Sequence, residues 1–176
     1  MRDRKCGECT ACCKALQVEE GDFLKPIHTW CPFCVVGTGC GNYATRFKVC
    51  RDFECGYLKG LGDDAERPDR TRVIPDFHKE GLLRATGVLQ LWEVSTGALA
   101  KRYAQGMTCL FVSMGKPVIH IPVHGGKTIF LPEKMVLPCE VREALEADKI
   151  RIAITRQPRA RLHYSAETAQ QRGGRH

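Results

Sequence analysis

Cys6-Gly-Glu-Cys9-Thr-Ala-Cys12-Cys13 opens a thiol-rich segment that continues as Cys31-Pro-Phe-Cys34, reaches Cys40 six residues later, and closes with Cys50 and Cys55. Nine of the eleven cysteines of this 176-residue chain therefore lie in its first third. Around them run Gly7, Gly21, Pro26, Pro32, Gly37, Gly39 and Gly41, with few long apolar stretches. Such a segment cannot bury enough apolar surface to fold on a core of its own, and a bound metal is the usual substitute. The reading is thus a loop-rich module organised by metal, within which Cys9 to Val18 forms a short helix with Thr10 near its start. A second turn-rich or helical stretch covers residues 42–53, with Tyr43, Phe47 and Phe53 expected beside the metal.

Outward from the module the pattern becomes ordinary. Residues 61–71 are a polar connector, and the layer beyond them reads as α+β. Residues 72–77 predict a strand, and the alternation over residues 87–94 predicts a half-buried one. Thr96 to Val112 reads as a helix, since Leu99, Tyr103, Met107 and Leu110 recur at steps of four and three. Residues 117–124 and 127–132 flank Gly125-Gly126 as a β-hairpin, with Pro122 placing the first of its strands at a sheet edge. Glu140 to Ala147 reads as a helix and Lys149 to Thr155 as a last strand. The fold class is α+β. Its units are a cysteine-rich module over residues 1–60, a small mixed α/β layer with a hairpin over 61–155, and a basic, disordered tail over 156–176.

Charge and compartment narrow the function. The formal charge is +7, and residues 151–176 supply five of those charges through six arginines against Glu167. A basic terminus invites nucleic acid. Aromatic residues make up only 7% of the chain, so a nucleic-acid partner ranks last behind a protein or small-molecule one. Met1-Arg2-Asp3-Arg4-Lys5 leads straight into cysteines without an apolar segment, so no secretory signal is expected. No run of apolar residues is long enough to span a membrane. The expected compartment is the cytoplasm, where thiols stay reduced, and an odd number of cysteines cannot all pair within one chain.

Thiolates at C-x2-C spacing reach one ion because the turn between them aims both sulfurs inward, and tetrahedral zinc needs four ligands. Nine thiols can fill two four-ligand sites and leave one over. They can equally hold a [4Fe–4S] cluster and leave several free, although the x3-Cys-Pro ending of a ferredoxin run is missing after Cys12. Zinc, with two ions accommodated, is therefore placed ahead of iron. Adjacent side chains diverge, so Cys12 and Cys13 are expected to serve different ions or to bridge two. Eight thiolates on two divalent ions add about −4, which removes most of the net positive charge. Arg46 and Arg51 sit among the thiolates, as counter-charges or as contacts for an anion. His28, just before Trp30 and Cys31, is the best histidine for a mixed site. His120 and His124 lie roughly 13 Å apart along a strand, too far for one ion. Cys109 and Cys139 stand apart as isolated thiols, Cys139 at a helix start where a thiolate is favoured. There is no phosphate loop, no dinucleotide fingerprint and no nucleophile–base set, so the question of catalysis stays open.

Cys6-x2-Cys9-x2-Cys12-Cys13, then Cys31-Pro-Phe, then Cys40-x2-Tyr43-x2-Arg46-x3-Cys50-Arg51-x-Phe53-x-Cys55 resembles the CxxCxxCC cysteine-cluster family, the YkgJ-type zinc- or iron-chelating domain. A similar motif occurs in flagellin lysine-N-methylase proteins. The resemblance covers residues 6–55. It implies metal ion binding, with Cys6, Cys9, Cys12, Cys13, Cys31, Cys40, Cys50 and Cys55 as ligands; the thiols themselves leave redox activity of an iron–sulfur cluster as the alternative. Cys34 is an addition to the pattern, and Phe47 follows Arg46 where the pattern carries Arg-Pro.

Overall fold

The computed structural model describes residues 4–77 and 87–155; the basic tail lies outside them. In the first third, short elements alternate with turns: α1 (Ala11–Ala15), β1 (Val18–Glu20), β2 (Phe23–Lys25), β3 (Cys34–Val35), β4 (Gly39–Cys40) and α2 (Lys48–Asp52). β1 and β2 form an antiparallel hairpin. Gly21 takes φ +59° in its two-residue turn, a conformation open to glycine without a Cβ clash. β3 and β4 form a second hairpin with Cys34 directly opposite Cys40. The helix expected over Cys9 to Val18 is only five residues long. Leu16 turns extended and Val18 is already paired with Lys25, and Thr10 makes no side-chain cap.

After α3 (Pro68–Thr71) come β5 (Val73–Phe77), β6 (Leu89–Glu93), α4 (Arg102–Ser113), β7 (Val118–Ile121), β8 (Thr128–Pro132), α5 (Cys139–Ala147) and β9 (Arg151–Thr155). The five strands form one sheet in sequential order. β5 and β6 are antiparallel, β6 and β7 parallel, β7 and β8 antiparallel, β8 and β9 parallel. The α+β class is what the sequence predicts, and so is the hairpin of β7 and β8. The edge position of β7 is not. β7 is the central strand, and Pro122 lies one residue beyond it, where a missing N–H costs no ladder bond.

The two parallel pairs explain the layers. Each is joined by a helix, α4 between β6 and β7 and α5 between β8 and β9. Right-handed crossovers entered from opposite strand directions put their helices on opposite faces, and this is where the helices lie. On one face Leu89, Leu91 and Val118 pack against Ala104, Met107, Phe111 and Val112 of α4. On the other, Ile119, Ile121, Ile129 and Leu131 pack against Val141 and Leu145 of α5. A 3-10 turn at Ala98–Ala100 and an extended Lys101 precede α4. The single helix expected from Thr96 is therefore split, and Phe111 rather than Leu110 faces the core, Leu110 being 36% exposed.

α5 covers only part of its face. Ile74 and its cross-strand partner Trp92 are left to the cysteine module, which packs Ala11, Ala15, Cys55 and Tyr57 against Ile74 and Val94. The approach is close at Gly56, whose N–H donates to the Pro75 carbonyl at 2.6 Å. A Cβ there would lie 3.1 Å from Leu61 and 3.2 Å from Pro75, so a larger residue would force these neighbours to give way. Arg4 fastens the chain start to the connector, donating to the carbonyls of Tyr57, Leu61 and Gly62. Residues from before and after the connector thus share one apolar cluster.

Candidate metal centre

The Cys6–Cys9 turn is closed by a hydrogen bond from Cys9 N–H to the Cys6 carbonyl at 3.0 Å, with Gly7 at φ +53°. The Cys31–Cys34 turn is closed the same way at 3.0 Å. Cys12 and Cys13 are carried on α1. The Cys31 N–H donates to the Cys13 carbonyl at 2.9 Å, which lays the second turn against the first helix. Phe23 and Phe47 stack at 4.3 Å, with Phe33 at 5.8 and 6.1 Å from the two rings. This triangle joins β2, the Cys31–Cys34 turn and the start of α2. The Glu20 carboxylate accepts from the Val49 N–H at 3.1 Å, holding α2, and with it Cys50, against β1.

The consequence is a cavity of about 130 Å³. Cys6, Cys9, Cys12, Cys13, Cys31, Cys40, Cys50 and Cys55 all line it, together with Ile74. All eight cysteines that the resemblance implies as ligands meet here. A single water needs only about 10–15 Å³ of such space, so the cavity has room for more than one ion. Its other walls are mainly apolar, including Leu16, Phe33, Phe47 and Phe53, and would leave waters poorly partnered. Phe47 and Phe53 stand beside the thiols as expected, whereas Tyr43 is 57% exposed and stacks on Arg46. Among the described residues no three His, Cys, Asp or Glu side chains converge closely enough to hold an ion. Its lining carries eight thiols and no carboxylate, with Gln17 and Asn42 as side-chain amides, a set that suits soft ions such as zinc or iron–sulfur clusters better than magnesium or calcium.

The thiols shift in one direction. Burial raises Cys6, Cys50 and Cys55, and pushes Cys9 up to about 11 and Cys34 up to about 12. Cys13 is raised first by its hydrogen bond with Cys12 and then by burial. Without a cation these groups hold their protons. A bound ion reverses that balance, and uptake releases protons. Some donors are already aimed at sulfur: Cys9 accepts from the N–H groups of Ala11 and Asp69, and Cys55 from those of Tyr57 and Leu58. Such bonds favour the thiolate.

One residue of the site was missed in the sequence. Lys25 is only 2% exposed. Its Nζ donates to the carbonyls of Pro26 at 3.0 Å, Thr29 at 2.9 Å and Lys14 at 3.4 Å. All three protons are used, so the ammonium is a fixed charge. Burial presses its pKa down, and the thiolates of Cys31, Cys13, Cys12 and Cys50 oppose that shift. Lys25 alternates with exposed Leu24 on an ordinary strand, and nothing in the spacing marks it. Arg46 also lines the cavity, while Arg51 turns away to the Arg46 carbonyl at 2.6 Å.

The remaining sequence candidates stand apart. Cys34 is hydrogen-bonded with Cys13 but does not line the cavity. His28 is not among the lining residues, and its two buried ring nitrogens find no hydrogen-bond partner among the described residues. His120 is a core residue, its Nε2 2.7 Å from Thr108 Oγ1. That hydroxyl donates its single proton to the Ala104 carbonyl at 2.8 Å, so His120 Nε2 is the donor of the pair. Cys139 is exposed at the start of α5, its Sγ 3.2 Å from Glu143. No helix among the described residues is long and apolar enough to cross a membrane. Comparison of the chain with models of protein families, with curated proteins and with solved structures returns no match.

Proposed function

We propose that this protein binds thiophilic metal ions through its N-terminal cysteine module, zinc ahead of iron, and that it belongs with the CxxCxxCC, YkgJ-type chelating domains. One observation carries the reading: eight cysteines separated by up to 49 residues of sequence line a single cavity. Metal would supply the cohesion that the module's short strands do not. It would also supply the positive charge that the crowded thiolates require, with the fixed ammonium of Lys25 offsetting part of the remainder. Zinc held by thiolates alone is a closed, structural ion, and the module would then present a surface to a protein or small-molecule partner.

The test is elemental analysis together with a visible absorption spectrum, on full-length protein purified without oxygen. About two zinc ions per chain and no visible band are expected. Iron with acid-labile sulfide and a broad visible band would replace zinc by an iron–sulfur cluster and make electron transfer the function. Protein that carries neither metal, and takes up neither when supplied, removes the reading altogether.

A further inference from the structure

Of the nine cysteines between Cys6 and Cys55, Cys34 alone does not line the cavity, and the hairpin of β3 and β4 gives it a partner. Cys34 lies directly opposite Cys40. The Gly41 N–H donates to the Phe33 carbonyl at 2.8 Å, so Phe33 and Gly41 form the hydrogen-bonded pair of the ladder. Cys34 and Cys40, one step along, are therefore a pair with no hydrogen bonds between them. In such pairs the Cα atoms lie about 4.5 Å apart and the side chains, leaving on the same face, come closest. A disulfide asks for Cα atoms roughly 4.4–6.8 Å apart, and this register falls within that range without backbone movement. The other sulfurs near Cys34 are engaged elsewhere. Cys13 is carried on α1 and shares its hydrogen bonding with Cys12, and Cys31 is tied through its N–H to the Cys13 carbonyl. The hairpin is also open to a reagent: Val35 and Val36, which follow Cys34, are 53% and 64% exposed.

We propose that Cys34 and Cys40 form a reversible cross-strand disulfide, a redox-sensitive modification site whose oxidant is a small-molecule disulfide. The Cys40 thiolate attacks one sulfur of that disulfide and expels the other half, which takes up a proton. Cys34, kept protonated by its burial, reacts second. Its sulfur attacks that of Cys40, its proton passes to the second departing thiolate, and the bond closes. Two protein S–H bonds and one external S–S bond become one protein S–S bond and two external thiols, and two electrons leave the protein. Closure takes the Cys40 thiol out of the cavity lining. The ring it makes encloses only residues 35–39, so the sheet is untouched.

Oxidised glutathione is the probe. Full-length protein, isolated reduced and without oxygen, is exposed to it; the remaining thiols are then alkylated and the linked peptides mapped by mass spectrometry. The expected result is a peptide joining Cys34 to Cys40 and two fewer alkylated thiols per chain, both reversed by a reductant. Cys34→Ser should form no internal link and should keep glutathione on Cys40, since the second thiol is gone. Cys31→Ser should still form the link, because Cys31 takes no part in it. A parent chain that loses no thiols, that links Cys34 to Cys31 or to Cys13, or that yields a scatter of links with none favoured, overturns the assignment. The link is read from peptides and not from metal content, so its failure leaves the metal-binding reading standing.

Discussion

The sheet and the cysteine module are held by different forces. In the sheet, strands of four or five residues pair without interruption, and Leu89, Leu91, Val118 and Ile129 are fully buried between helices on two faces. In the module the strands are two or three residues long. Leu24, Val35 and Val36 are more than half exposed there, and the fully buried large side chain is a lysine. Apolar burial contributes roughly 25 cal/mol per Å², so the sheet stabilises itself, while the module leans on the sheet through Ile74, Trp92 and Gly56. The difference teaches where a ligand matters. Removing metal from a region with its own core changes little; removing it from one without a core changes the fold.

The largest expected effect follows directly. A structural zinc site contributes an apparent 10–16 kcal/mol or so to folding. Stripping the metal with a chelator should therefore melt residues 6–55, exposing Trp92 to water, while amides of β6, β7 and β8 keep their hydrogen-exchange protection. Loss of protection in both regions together would show one cooperative unit and erase the contrast. The mirror experiment is Leu91→Ala in the sheet. It should cost about 2–5 kcal/mol, read as a lower urea midpoint, with the metal content of the folded protein unchanged.

Lys25→Met tests what the module has in place of a core. It leaves the carbonyls of Lys14, Pro26 and Thr29 without their donor and removes the charge near Cys31, Cys13, Cys12 and Cys50. A cost of roughly 2–4 kcal/mol is expected, seen as faster metal release to a competing chelator, with the sheet's thermal transition unmoved. An unchanged release rate would deny Lys25 its role.

The smallest effect is confined to the sheet and sharpens the separation. Burial holds His120 down to about 4 against an ordinary 6.5, with Glu93 pulling weakly the other way. The native ring is neutral and the unfolded one takes up a proton below 6.5. The stabilisation is intact above that pH and is lost as pH falls toward 4, amounting to about 2–3 kcal/mol at pH 4.5. Urea unfolding followed in the sheet at pH 7 and 4.5 should show the loss in the parent chain and a smaller one in His120→Gln. Equal losses would place the acid sensitivity elsewhere.

By itself the sequence determined the local vocabulary. Period-two alternation marked β6, Gly125-Gly126 marked the hairpin of β7 and β8, and the clustering of nine cysteines marked the segment whose thiols line one cavity, the eight that do being those the resemblance implies. These signals are local because a pleat, a turn and a knuckle each need only a few neighbouring residues. Tertiary structure alone decided the rest. It put β7 at the centre of the sheet, since a strand's neighbours depend on how the α4 crossover returns and not on the proline after it. It broke the helix expected from Thr96 so that Phe111, not Leu110, could reach Leu89 and Leu91. It buried Lys25, whose hydrogen bonds among the described residues go to carbonyls that a sequence does not display. And it brought Cys6 and Cys55 to one cavity, because which sulfurs share a space depends on how their backbones pack.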